Sequence, residues 1–218
     1  MKDKKNIRKR FVSIGLVIVL ALVCNITEYT IAFAAPTAKV SYKIEKKQQI
    51  KRCKKLTAQY LYELPQIKGN SPTIRKINKL LVADYKASLQ YRNSLFQCYK
   101  ALKKSSYKKI YYISKCSVTY NQNGYISFRF ASEWYAGGAG ESREYGLTYR
   151  LKDGKKLAVQ DVASGKKSNV KKNIATAYSK KLSGQGYSYV MKMKYSDFQF
   201  YIKPGKKVVV CFGPYGAL

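Results

Sequence analysis

The chain is 218 residues long, with 43 Lys+Arg against 11 Asp+Glu, no histidine and a formal net charge of +32. That length suits one domain, alone or with a short module. At 46% hydrophobic and 25% charged residues the usage is globular, which excludes disorder as the default reading. The lack of histidine excludes Ser-His-Asp and Cys-His triads, His-ligated zinc and His general bases, and so few carboxylates argue against a multi-carboxylate metal cage. No cofactor and no metal are expected.

Residues 1–10 carry six basic side chains and one acid, and residues 11–24 form an uncharged apolar run. A basic start, an apolar run of about 7–15 residues and a small-residue site make a secretory signal peptide, residues 1–34. Ala32-Phe33-Ala34 supplies the A-x-A pattern and puts cleavage between Ala34 and Ala35, because cutting one residue later would place Pro36 beside the scissile bond. An uncut anchor is the alternative. Residues 11–35 are long enough for a bilayer, where about 20 residues are needed, although Asn25, Thr27, Glu28 and Thr30 interrupt them. A lipoprotein signal at Ala21-Leu22-Val23-Cys24 is the weakest option, since the residue before the cysteine should be small. Each reading puts the rest of the chain outside the cytoplasmic membrane, secreted or held at the cell surface. From Ala35 onward there are 37 basic and nine acidic residues, a net +28. In the cytosol that balance would suggest nucleic acid. Outside a bacterial membrane no nucleic acid is expected, and the available polyanions are wall polymers such as teichoic acids, and anionic lipid head groups. The plainer alternative is that the lysines only solubilise the surface.

Residues 35–54 read as a basic lead-in to the domain at 55–218. Residues 56–67 alternate aromatic and polar side chains and predict a strand that ends near Pro65 and Gly69. Ser71-Pro72 offers an N-cap followed by proline at the first helical position, and Ile74, Ile77, Leu81, Tyr85 and Leu89 recur at helical spacing, predicting one long helix over 72–103. Strands at 107–120 and 125–135 flank Asn123-Gly124, a hairpin signal. The glycine-rich turn at 136–140 leads to a third strand near 144–151, and Asp153-Gly154 marks another turn. A second helix is expected over 168–182, and strands at 198–202 and 207–212 pair around Lys203-Pro204-Gly205-Lys206. The order β-α-β-β-β-α-β-β predicts an α+β domain with one long and one shorter helix packed on an antiparallel sheet.

Glu133, Glu141 and Glu144 flank the glycine-rich turn, beside Trp134, Tyr135, Gly137 and Gly138. They suggest a small ligand site that holds sugar by stacking and hydrogen bonds. Paired-carboxylate glycan hydrolysis is a remoter option, needing only two acids across the bond. The plain alternative is ion pairing with nearby lysines and Arg143 around a bulged turn. Four cysteines, Cys53, Cys98, Cys116 and Cys211, are an even set for an oxidising compartment. If the first strand and the long helix run antiparallel, Cys53 lies about 13 residues before the turn, roughly 43 Å at strand rise, and Cys98 about 26 residues after it, roughly 39 Å at helix rise. The two come level, which suggests Cys53–Cys98, with Cys116–Cys211 as the remainder; free buried thiols are the alternative. Tyrosines interleave with lysines at 107–112 and 187–195, either as a carbohydrate or polyanion face or as ordinary strand composition.

Several strings resemble the extracytoplasmic module shared by RsiV-like anti-sigma-V factors and peptidoglycan deacetylase C-type proteins. They are Tyr62-Glu63-Leu64-Pro65-Gln66-Ile67-Lys68-Gly69, Ile77-Asn78-Lys79-Leu80-Leu81, Val118-Thr119-Tyr120-Asn121-Gln122-Asn123-Gly124, Tyr135-Ala136-Gly137-Gly138-Ala139-Gly140, Tyr149-Arg150-Leu151-Lys152-Asp153-Gly154, and Phe198-Gln199-Phe200-Tyr201-Ile202 with Phe212-Gly213-Pro214-Tyr215. The resemblance implies a module that faces the cell wall, with an anionic wall polymer or an envelope protein as partner. The chain departs from the pattern in two places. Gly140-Glu141 stands where the family's turn continues with His-Gly, and the family's further strand after Pro214-Tyr215 is missing, which leaves an edge that a partner strand could fill. Ten residues before the apolar run are too few for a sigma-binding segment, and a deacetylase needs metal-binding histidines, so neither named activity is expected. Lysozyme is commonly cationic and a +28 module would repel it, so lysozyme binding is not expected either.

Overall fold

The computed structural model describes residues 12–14, 17–20, 39–163 and 165–213. In chain order, the strands Val12–Ile14 (β1), Val17–Leu20 (β2), Tyr42–Cys53 (β3) and Leu56–Ile67 (β4) precede the helix Pro72–Ala101 (α1). Lys109–Gln122 (β5), Tyr125–Tyr135 (β6) and Gly140–Arg150 (β7) follow, then helices Lys167–Lys181 (α2) and Tyr187–Lys192 (α3) and the hairpin Gln199–Lys203 (β8) and Lys207–Cys211 (β9). The larger sheet has the order β1-β7-β6-β5-β4-β3 and the smaller one β2-β9-β8.

The local chemistry accounts for most of these elements. Along β4, Leu56, Ala58, Tyr60, Tyr62 and Leu64 are buried and the residues between them less so, the period of two that a strand imposes. The Ser71 side chain accepts a hydrogen bond from the Ile74 amide, and Pro72 opens α1, whose Ile77, Leu81, Leu95 and Phe96 pack onto β4–β7. Asn123 and Gly124 both take positive φ, 53° and 77°, which lets a two-residue turn join β5 to β6. The second core lies between α2, α3 and the smaller sheet, with Val170, Ile174, Tyr178 and Val190 against Phe200, Ile202, Val208 and Val210. The two sheets touch where the Ile202 amide donates to Ser127 Oγ at 2.9 Å and where Gly146 passes beneath Phe200.

Several expectations need correcting. The basic lead-in at 35–54 contains a full strand: β3 pairs antiparallel with β4 over its whole length and forms the outer edge of the larger sheet. The sheet is not antiparallel throughout, because β4 and β5 run parallel, as the α1 crossover between them requires. The long helix packs on the larger sheet and the second helix on the smaller. The tyrosine-lysine segment at 187–195 is helical at Tyr187–Lys192 rather than a strand. The outer edge of β9, expected to be open, pairs with β2, and β1 pairs in parallel with β7. The cleavage site at Ala34 and Ala35, most of the apolar leader, and Pro214 onward lie outside the described residues. No helix among the described residues is long and apolar enough to cross a membrane. The four cysteines are free thiols in the structure rather than two disulfides. Cys116 lies in the core under α1, and Cys211 in a separate packet with Tyr201 and Val209.

Candidate functional site

The register of β4–β7 decides which of the turn residues can act together. Tyr60, Tyr112, Trp134 and Glu141 are cross-strand partners in one rung, and Tyr62, Ser114, Ser132 and Arg143 form the next. Both rungs face α1. Glu133, Tyr135 and Glu144 alternate to the opposite face. The proposed turn site is therefore split by the sheet. Trp134 and Glu141 point under α1, while Glu133 is exposed on the other side. Glu144 is held there by an ion pair with Arg129, with the Tyr201 hydroxyl 3.5 Å away. Tyr135 packs its ring on Tyr111 at 5.8 Å. Gly137 and Gly138 have φ of 76° and 114°, and a Cβ on Gly137 would stand 2.7 Å from the Tyr107 ring. The glycines thus let the Tyr107 ring pack against the turn, with Gly138 still exposed.

Under α1, the face that carries Trp134 and Glu141 is unusually polar and aromatic for a sheet–helix contact. Tyr91 stacks on Tyr112 at 4.8 Å, and Tyr112 stacks on Tyr60 at 5.6 Å. The Arg143 guanidinium lies between the rings of Tyr91 and Tyr145, 4.8 and 5.5 Å from their centres, and donates to Tyr91 Oη at 2.8 Å. Asp84 accepts from the hydroxyls of Tyr62 at 2.6 Å and Tyr145 at 2.8 Å. Burial pushes the Tyr62, Tyr112 and Tyr145 phenols above their ordinary value, so all three stay neutral at physiological pH. A cavity of about 280 Å³ opens here, lined by Tyr91, Ser94, Tyr112, Ser132, Trp134, Glu141 and Arg143, with Glu133 at its margin. Tyr91 escaped the sequence reading, which took Arg143 only as an ion-pair partner for the turn acids and Tyr112 only as part of the tyrosine-lysine segment at 107–112. The only signal was the period of two that links Arg143 to Glu141, and the strand had been expected to begin later, near Glu144.

A second concavity, of about 400 Å³, lies between the edge strand β3 and α1 and is lined by Gln49, Lys51, Arg92, Asn93, Phe96, Gln97 and Lys100. Three cations and no carboxylate face it. Lys51 Nζ sits 4.5 Å above the Phe96 ring, so its stem is packed and its charge held at the surface. Elsewhere on β3, Lys43 and Lys47 flank Glu45 and lower its carboxyl to about 2. Among the described residues, no group of three or more Cys, Asp or Glu side chains converges as metal ligands would.

These features define a mixed sheet with one crossover helix, followed by a smaller helix-covered sheet. Residues 50–140, from the end of β3 through α1 to the glycine-rich turn, match the family described as Deacetylase PdaC. Among solved structures the chain is similar to a DUF3298 family member from Bacteroides fragilis, at 13% identity and a TM-score of 0.50, covering 75% of this chain and 79% of that one. It is also similar to a DUF3298 family protein from Pseudomonas aeruginosa, at 12% identity and a TM-score of 0.42, covering 72% and 76%. No curated protein matches the chain. The protein thus resembles a module of PdaC and DUF3298 type, and at these identities the structural likeness speaks to fold alone.

Proposed function

We propose that this protein is a non-enzymatic module of the bacterial cell envelope, exported by its leader and held there by binding an anionic wall polymer along the groove between β3 and α1. The observation that carries this reading is the groove itself, where Lys51, Arg92 and Lys100 converge with three side-chain amides and no acid. The strings shared with the RsiV-like module support the envelope placement, and a net +28 beyond residue 34 supports an anionic partner. A flexible polyphosphate needs spaced cations along an open channel rather than a closed pocket, and an edge strand beside a helix supplies one. Hydrolysis by turn glutamates finds little support, because Glu133 and Glu141 occupy opposite faces and Glu144 is already paired.

The test is co-sedimentation of the purified full chain with cell walls, native and stripped of teichoic acid, across a salt series. Binding should fall with salt and with removal of the teichoic acid. The triple variant Lys51→Gln, Arg92→Gln, Lys100→Gln should bind native walls roughly a hundredfold weaker, at about 1 kcal/mol for each cation near an anionic surface. Binding that ignores salt, or a triple variant that binds like the parent chain, would overturn the reading.

A further inference from the structure

The cavity beneath α1 asks for a ligand that the groove does not explain. Its Arg143 is a cation taken largely out of water, with two aromatic faces against it and one tyrosine hydroxyl as acceptor, yet no carboxylate lies within 4 Å of it among the described residues. Its donors beyond the one on Tyr91 remain within reach of solvent in the cavity, and a planar carboxylate is the group that fits its fork. Tyr112 lines the same cavity with its ring and is only 2% exposed, its hydroxyl shut away from solvent beside Ser114 and Ser132.

The remaining wall gives the shape of the ligand. Trp134 is half-buried along the cavity, and Glu141, its cross-strand partner, makes no hydrogen bond or ion pair among the described residues. An indole surface suits the C–H face of a pyranose ring, a free carboxylate accepts from sugar hydroxyls, and an arginine at the far end takes an acid group. We propose that the cavity binds a carboxylated sugar residue, with its carboxylate on Arg143, its ring along Trp134 and its hydroxyls on Glu141. This site is separate from the basic groove and does not depend on polymer binding there.

Trp134 is the sole tryptophan of the chain, so its fluorescence reports on this cavity alone. Glucuronate titrated into the purified full chain should change the emission saturably, with glucose at least tenfold weaker because it lacks the acid. Arg143→Gln should weaken glucuronate at least tenfold, and Glu141→Gln, at a half-exposed position that does not threaten folding, should weaken glucuronate while leaving its preference over glucose. The groove triple variant should bind glucuronate unchanged, which keeps failure of this inference distinct from failure of the polymer reading. Equal affinity for glucose and glucuronate, no saturable response, Glu141→Gln binding like the parent chain, or tighter binding of D-alanyl-D-alanine than of any sugar acid would overturn the proposal.

Discussion

Gly146 shows how much of this architecture hangs on one missing side chain. It lies in the middle of β7 under β8, and a Cβ there would meet the carbonyl oxygen of Phe200 at 2.1 Å and the amide nitrogen of Tyr201 at 2.6 Å. Those neighbours are backbone in a paired strand, so they cannot swing aside as a side chain would. Gly146→Ala should therefore separate the two sheets locally and cost at least the upper end of the roughly 1–3 kcal/mol typical of overpacking. Urea unfolding would read this as a lowered midpoint. Gly213→Ala is the control, since nothing among the described residues lies within 4 Å of its Cβ position, and it should leave the midpoint in place. A Gly146→Ala chain that unfolds with the parent would mean that the sheets do not cross as described. The same scale explains what composition conceals. The aspartate that unites Tyr62 and Tyr145 is a lone acid in a helix rich in lysine and arginine, and only the register across β4 and β7 reveals its partners.

At the scale of elements, the legible parts of the sequence are those where one physical signal dominates. The strand at 56–67 shows in its alternation, the long helix in its cap and spacing, and the hairpin in Asn123-Gly124. The cap can be measured alone: Ser71 Oγ accepts from the Ile74 amide at 3.2 Å on an exposed surface, so Ser71→Ala should cost about 1 kcal/mol and Ser71→Asp almost nothing. Thermal melts of the two variants would separate a true cap from a serine that merely precedes a proline. β3 stayed hidden because both of its faces are wet. Tyr42, Ile44 and Ile50 are exposed there alongside the lysines, so no apolar period survives, and the pairing comes from β4 rather than from the segment itself. The candidate site was half legible for a related reason. Trp134 and Glu141 were singled out by their chemistry, but their alternation against Glu133 and Glu144 follows from the four-residue turn at 136–139, closed by the Ala136 amide donating to the Ala139 carbonyl. Without that register, acids on opposite faces look like neighbours.

For the whole molecule, the many buried tyrosines set the pH at which the fold gives way. Burial raises the phenols of Tyr60 and Tyr201 to about 12, and raises Tyr62, Tyr112, Tyr145 and Tyr149 too; it also lifts the Cys211 thiol to about 12 and raises that of Cys116. Each is an acid whose folded value lies above its unfolded one. The unfolded chain therefore sheds these protons first, and stability is complete below the ordinary thiol and phenol values and lost as pH rises above them. Each group forfeits up to about 1.4 kcal/mol per pH unit between its two values, so three such phenols alone remove roughly 4 kcal/mol by about pH 11, a large share of a typical 5–15 kcal/mol. Repulsion among the many surface cations is screened in high salt, which leaves the buried groups to set the trend. Melting temperature at high salt should accordingly hold steady to about pH 9 and then fall steeply. Phenolate absorbance in the native state should account for only part of the 21 tyrosines, with the remainder appearing together at unfolding. A smooth titration of every tyrosine near its ordinary value, with no change in melting temperature, would show that the stacked rings beneath α1 are open to water, and the cavity beside them could not hold a desolvated arginine.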